Sequence, residues 1–269
     1  MKKIYLLILF VSTIVTAQKK EFKYALTGVK KIVLESSTQI ILKAANISAL
    51  TLSENNDHHS EHFFQKDQDH HEHDEGRKDK RKGLTAIYPG GRDNTSGFGF
   101  SIIKEGTVLY VIDLKPNFKR HGIKLILPKS INLVINAGRL GSIEMEGFTG
   151  EVEASTNIGK IEMKNVTGPI TANTSVGKID IDFDKVSQTS PITISSSVSE
   201  IDVTLPTNTK ANLEIRTQGT VYTNFDLEMP KKKGLQNVSG RKNIVSKLNN
   251  GGVKIFIKSS MGNIYLRKK

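Results

Sequence analysis

The sequence predicts an all-β chain wound as a β-solenoid with coils of about 18–22 residues. Three observations carry this reading. Glycines recur at Gly141, Gly150, Gly159, Gly168 and Gly177, nine residues apart each time, and a fixed internal period outranks other fold signals. Each glycine opens a short run that alternates apolar and polar residues: "GSIEM", "GEVEA", "GKIEM", "GPITA" and "GKIDI". No segment beyond the first seventeen residues combines helical periodicity with good caps.

The true period is eighteen. Leu140, Ile158, Val176 and Val198 precede alternate repeats, and Thr149, Thr167 and Thr189 precede the others. After a four-residue insertion the pattern resumes as "SPITI" from Ser190 and "SEIDV" from Ser199. Alternation in a strand sends successive side chains to opposite faces. Ile143, Met145, Ile161, Met163, Ile179, Ile181, Ile201 and Val203 are therefore expected inside. Glu144, Glu162, Asp180 and Asp202 are expected outside, in a stripe. No single coil buries its own apolar face, so neighbours must stack. Gly and Asn-Thr-Ser stretches suit the corners. A β-sandwich of short strands would explain the alternation but not the regular spacing.

A second internal match widens the repeat region: "LPKSINLVINAGRLG" from Leu127 resembles "LPTNTKANLEIRTQG" from Leu205. Two more alternating strands close the chain in "GGVKIFIKSSMGNIYLRKK". Upstream, "KKIVLESSTQIILKAANISALTL", "GLTAIYP", "FGFSIIKEG" and "TVLYVIDLK" read as strands that cap the solenoid or form its first coils. The expected organisation is a signal peptide at 1–17, an N-terminal β region at 18–118, and the repeat region at 119–269. The N-terminal region carries a His/Asp/Glu-rich loop at 53–83, and the repeat region a basic loop at 229–250.

"MKKIYLLILFVSTIVTAQKK" has a basic start, an apolar run and small residues before Gln18, as an export signal does. The run is short of the ~20 residues that span a bilayer, and no later segment could cross one. Removing the peptide takes two lysines and no acid from a net charge of +12, leaving +10. A basic exported chain either meets anionic partners or uses its charge for solubility. With no cysteine, stability rests on a packed core and backbone ladders rather than on disulfides.

The Leu-Pro strand, the "GKIDI" type runs, "KGLTAIYPGGRDNTSGFGF" and the closing "GNIYL" resemble the bacterial putative-adhesin family of exported β-strand-repeat proteins. The resemblance spans roughly Phe22 to Leu266 and leaves out the histidine-rich stretch. It implies an exported β-helix-like fold. It implies adhesion only as a label, and it brings no catalytic residues.

The histidine-rich stretch is the first candidate site. His58, His59, His62, His70, His71 and His73 alternate with Asp and Glu and are of the type that binds Zn, Ni or Cu. A defined site also needs fixed geometry and supporting hydrogen bonds. The stretch is polar and aperiodic, so a disordered, solvated insertion is the competing reading. The acidic stripe is the second candidate. Lys160 and Lys178 lie two residues before Glu162 and Asp180 and can neutralise them. Calcium binding at "DIDFD" would lack the closing glycine and glutamate. Glycan cleavage would need paired carboxylates at the right separation. His121, the only other histidine, reads as a turn residue. "GGRDNTSGFG" lacks a phosphate loop's lysine and reads as a tight turn. Arg77 to Lys82, Lys231 to Lys242 and Arg267 to Lys269 are basic without interleaved aromatics, so nucleic acid is not an expected partner.

The expected function is a non-enzymatic adhesion or interaction scaffold in the periplasm or at the cell surface, meeting a protein or a surface glycan. A metal-binding exported protein and a glycan-active β-helix enzyme are the alternatives.

Overall fold

The computed structural model describes residues 21–54, 88, 90–114, 122–227 and 242–269. Among them there is no helix. The first strands are β1 (Glu21–Ala25), β2 (Lys31–Glu35), β3 (Ile40–Ala45), β4 (Ala49–Glu54), β5 (Phe100–Glu105), β6 (Val108–Asp113) and β7 (Ile123–Pro128). Then come β8 (Asn132–Asn136), β9 (Ile143–Glu146), β10 (Val152–Ile158), β11 (Ile161–Val166), β12 (Ile170–Val176), β13 (Ile179–Phe183), β14 (Ile192–Ser196) and β15 (Ile201–Leu205). The last are β16 (Ala211–Thr217), β17 (Val221–Thr223), β18 (Lys242–Leu248), β19 (Val253–Ser259) and β20 (Ile264–Lys268).

They form two ten-stranded mixed sheets. The first runs β1-β4-β7-β3-β9-β11-β13-β15-β20-β17, and the second runs β18-β16-β19-β14-β12-β10-β8-β2-β6-β5. From β8 to β15 successive strands fall in alternate sheets. Each of β8 to β13 pairs in parallel with the strand two places on. Ile143, Ile161, Ile179 and Ile201 are consecutive partners. The nine-residue glycine spacing is thus half a circuit. The insertion before Ser190 widens one circuit, so that Ile179 pairs with Ile201 rather than with a residue eighteen further on.

Side chains obey the alternation. Ile143, Met145, Ile161, Met163, Ile179, Ile181, Ile201 and Val203 are all buried. On the facing sheet Val152, Ala154, Ile170, Ala172, Ile192 and Ile194 are buried too. Burying one such aliphatic side chain contributes roughly 1.5–3 kcal/mol, and only stacking of circuits makes that gain available.

At one corner the packing is tighter still. Thr156, Thr174, Ser196, Ser259 and Thr217 are buried and stand in one register column. Their hydroxyls donate to corner carbonyls. Thr156 reaches Gly141 O at 2.7 Å, Ser259 reaches Ser199 O at 2.9 Å and Thr217 reaches Gly262 O at 2.7 Å. The column satisfies buried carbonyls that no strand ladder reaches. The expectation that Asn-Thr-Ser stretches serve the corners takes this specific form.

Three features depart from expectation. The boundary at 118/119 does not separate two packing units. β2 lies between β8 and β6, and β3 lies between β9 and β7, inside the stack rather than on its end. β19 and β20 are likewise inserted, between β14 and β16 and between β15 and β17. Parallel pairing demands matching register, not neighbouring sequence, so circuits stack out of chain order. Thirdly, part of the expected basic loop at 229–250 is strand: β18 pairs antiparallel with β16 along its whole length. Ser246 and Leu248 point inward there, an alternation that the surrounding lysines obscure. Residues 229–241 of that loop lie outside the described residues.

Antiparallel strands close three of the four sheet ends: β1 on β4, β5 on β6 and β18 on β16. The fourth ends in the three-residue β17. A short edge strand such as β17 discourages indiscriminate pairing.

Candidate binding face

The first sheet turns one column of side chains outward across seven strands. By register it reads Ile41, Glu144, Glu162, Asp180, Asp202, Tyr265 and Tyr222. Stacked circuits place such residues ~4.8 Å apart, and like charges at that spacing repel. Cations arranged along the column offset this. Lys160 lies 3.2 Å from Glu144 and 3.0 Å from Glu162, and Lys164 meets the other oxygen of Glu162. Lys178 lies 3.6 Å from both Asp180 and Glu200. Arg267 grips Asp202 with two bonds of 2.8 and 2.9 Å. Gln39 adds a bond to Glu144 at 3.1 Å. The sequence-level pairing of Lys160 with Glu162 and Lys178 with Asp180 is present. The bridging of each lysine to a second acid is new.

The carboxylates differ in proton affinity as a result. The Lys164 hydrogen bond is the largest influence on Glu162 and, together with that of Lys160, holds it below the ordinary carboxylate range against the opposing effect of burial. Burial would depress Lys160, but Glu162 and Glu144 outweigh it and raise the ammonium above its ordinary value. Asp180 goes the other way. Burial raises it, the charges of Asp202 and Glu162 add to the rise, and Lys178 opposes it only in part.

The column ends in aromatic rings. Tyr265 and Tyr222 stack with centroids 5.2 Å apart and planes at 11°. Arg267 lies 5.5 Å from the Tyr265 centroid while holding Asp202, an arrangement in which charge and ring quadrupole attract. Tyr222 is half exposed. Neither tyrosine stood out in the sequence. The available signal was their place in "TVYTN" and "GNIYL", where the ring takes the alternating outward position that an acid holds in the runs before.

The second sheet is neutral over β12 and β14. Thr171 and Thr193 are register partners, as are Asn173 and Ser195, and Ser195 Oγ donates to Asn173 Oδ1 at 3.1 Å. Towards one end, Arg216 and Lys254 approach the Phe256 ring at 5.4 and 5.8 Å.

The remaining sequence candidates fall as follows. His58, His59, His62, His70, His71, His73 and His121 lie outside the described residues, as do residues 1–20. Among the described residues no three His, Cys, Asp or Glu side chains gather as a metal site would require. Asp182 of "DIDFD" is held by Lys269 at 2.8 Å, so the C-terminal basic patch is engaged with Asp182 and Asp202. The Gly-rich stretch from Gly90 is a self-bonded turn. Asp93 accepts from Thr95 N at 2.8 Å, Thr95 Oγ1 at 2.7 Å and Gly99 N at 3.0 Å. Burial would raise the Asp93 carboxyl, but these bonds together hold it below its ordinary value. A cleft of about 470 Å³ opens between the turns around Leu26, Lys30, Pro128 and Asn132. No helix among the described residues is long and apolar enough to cross a membrane.

No protein-family model matches the chain, and no curated protein does. Two solved structures resemble it. One is a putative cell adhesion protein from Clostridium sporogenes ATCC 15579, with a TM-score of 0.42 and 13% identity over 94% of this chain and 100% of that one. The other is a putative adhesin from Bacteroides fragilis NCTC 9343, with a TM-score of 0.32 and 12% identity over 94% of this chain and 98% of that one.

Proposed function

We propose that this chain is an exported, non-enzymatic interaction scaffold of the cell envelope, of the adhesion type, with its two sheets wound as the coils of a β-solenoid. The observation that carries the reading is the outward column from Glu144 to Tyr222. It offers a rigid series of hydrogen-bonding groups at a constant pitch, ending in an aromatic face. Such a surface suits an extended ligand, a surface glycan or a protein, whose successive units meet successive circuits. The tyrosine ring offers a flat apolar surface to the C–H face of a sugar, and the ion-paired carboxylates accept from its hydroxyls. At Glu162 the ion pairing also supports a binding role over a cleaving one. A carboxyl held below its ordinary range, as Glu162 is, is a poor general acid at neutral pH.

The test is an array of glycans and envelope proteins probed with the chain from Gln18 onward and with the same chain lacking 53–83. Binding that survives loop removal and falls at least tenfold in Tyr222→Ala fits the scaffold. Binding unaffected by Tyr222→Ala or by charge changes at Asp180 and Asp202 would sink it.

The six histidines at 58–73 favour a second reading, an exported protein that captures Zn, Ni or Cu. Calorimetric titration of each metal into the same two chains tests it. Stoichiometric submicromolar binding that disappears with the loop supports metal capture.

A further inference from the structure

The corner that carries the buried hydroxyl column also carries an apolar ladder on its outer side. Leu140, Ile158, Val176, Val198 and Met261 are 66, 51, 43, 45 and 67% exposed. Each precedes the corner residue of its circuit: Gly141, Gly159, Gly177, Ser199 and Gly262. Those corner residues are in close contact. A Cβ on Gly159 would strike Gly141 O, one on Gly177 would strike Gly159 O, and one on Gly262 would strike Ser199 O. The ladder is therefore straight and held at the pitch of the sheets.

It is also bounded. The corner circuit before Leu140 presents the exposed Ser37 before Thr38, whose carbonyl packs against Gly141. The circuit beyond Met261 presents the exposed Gln218 before Gly219, which packs against Gly262. The ladder is continuous only because the out-of-order circuit β19–β20 brings Met261 beside Val198. The next corner in the sequence would have supplied Gln218. Five exposed apolar rungs over adjacent circuits form a patch on the order of 400 Å², in the range where patches on soluble proteins are often functional.

We propose that this ladder is a self-association surface, on which a second copy of the chain lays its own ladder in the antiparallel direction. Three features select that occupant. The ladder is close to palindromic about Val176, with long side chains at its ends and β-branched ones within, so a two-fold axis at Val176 sets like sizes against like. A closed two-fold dimer requires such self-complementarity. On the flank facing the first sheet the charged residues run Lys160, Lys178, Glu200. The antiparallel arrangement keeps the two flanks together and sets Lys160 of each copy opposite Glu200 of the other. Lys178 falls near the axis, where Asp180 and Glu200 at 3.6 Å already offset its charge. Arg139, at the outer end, meets only Ser260 and solvent. Finally, the patch is about half of the ~800 Å² per partner that a stable interface buries, so the dimer is weak and concentration-dependent. An anionic lipid surface fits less well, since Glu200 and the carboxylate column beside the ladder would face its headgroups.

The chain contains no cysteine, which makes the orientation directly readable. The mature chain is expected to pass from monomer to dimer in sedimentation velocity over roughly 10–500 μM, and Val176→Asp to stay monomeric with an unchanged melting curve. Under mild oxidation Val176→Cys forms a linked dimer at least tenfold faster than the outward-facing control Thr171→Cys. Leu140→Cys alone links slowly, and links rapidly when mixed with Met261→Cys. Three results would overturn the proposal: a wild-type chain monomeric up to 500 μM, a Val176→Cys rate equal to the control, or fast self-linking of Leu140→Cys, which marks a parallel ladder. Cosedimentation of the monomer with phosphatidylglycerol vesicles, lost in Val176→Asp, would replace it with a membrane contact.

Discussion

The carbonyl oxygen of Gly159 fills the space that a side chain on Gly177 would need. The obstruction is backbone of the adjacent circuit, so no rotamer change relieves it. Gly177→Ala is expected to cost about 3 kcal/mol in urea unfolding. Gly106→Ala is the comparison. Gly106 has φ of +59° and nothing within 4 Å of an added Cβ, so it pays only the left-handed strain of ~1–2 kcal/mol. Equal losses at the two sites would mean that the corner yields.

The hydroxyl column makes a second prediction. Thr217 donates to Gly262 O at 2.7 Å and accepts from Gly219 N at 2.8 Å. Thr217→Val keeps the shape and leaves both partners unsatisfied, at about 2 kcal/mol. Thr171→Val, on the outer face, is expected within ~0.5 kcal/mol of wild type. Chemical denaturation of both variants checks the contrast.

Core truncation follows the inward register. Ile179 is fully buried between Ile161 and Ile201. The sheets on either side cannot collapse into the gap without breaking parallel pairing. Ile179→Ala is therefore expected to cost ~3–4 kcal/mol by the same measurement, with the outward Thr204→Ala as the near-neutral reference.

The acidic column predicts opposite pH signatures for two neighbouring carboxylates. Glu162 is lowered in the fold, so its contribution is present above the ordinary carboxyl range and is lost as pH falls through its depressed value. Asp180 is raised, so the fold favours its protonated form. Its contribution is greatest below the ordinary range and is lost as pH rises through the elevated value. At pH 7 Glu162→Gln is expected to lose ~0.5 kcal/mol and Asp180→Asn to gain ~0.3 kcal/mol, both small because water screens exposed pairs. Both differences shrink towards zero near pH 2. Unfolding free energies across that range check the signs, and a loss of stability in Asp180→Asn at pH 7 would contradict the placement of Asp180.

Much of this was legible in the residues. "GKIEM" and "GKIDI" specify inward Ile and outward acid by alternation alone, and the lysine two places before each acid announces its ion pair. Other features were hidden because their partners are far apart in the chain. The bond from Arg267 to Asp202 and the stacking of Tyr265 on Tyr222 join residues 65 and 43 positions apart. No local period contains them. β18 was hidden for a different reason: its lysines dilute the alternation of Ile244, Ser246 and Leu248 until it reads as a basic loop.

The nine- and eighteen-residue periods were enough to set which side chains face the core, which corners take glycine, and which residues share a register. They carry no information about which circuit lies on which. That was decided by the tertiary structure, where β2–β3 slips beneath β6–β7 and β19–β20 slips between β14–β15 and β16–β17. Backbone hydrogen bonds between parallel strands are indifferent to side-chain identity, so any circuit in register can occupy any layer. Burial and the closing of edges choose among them, and that choice puts Met261 rather than Gln218 beside Val198.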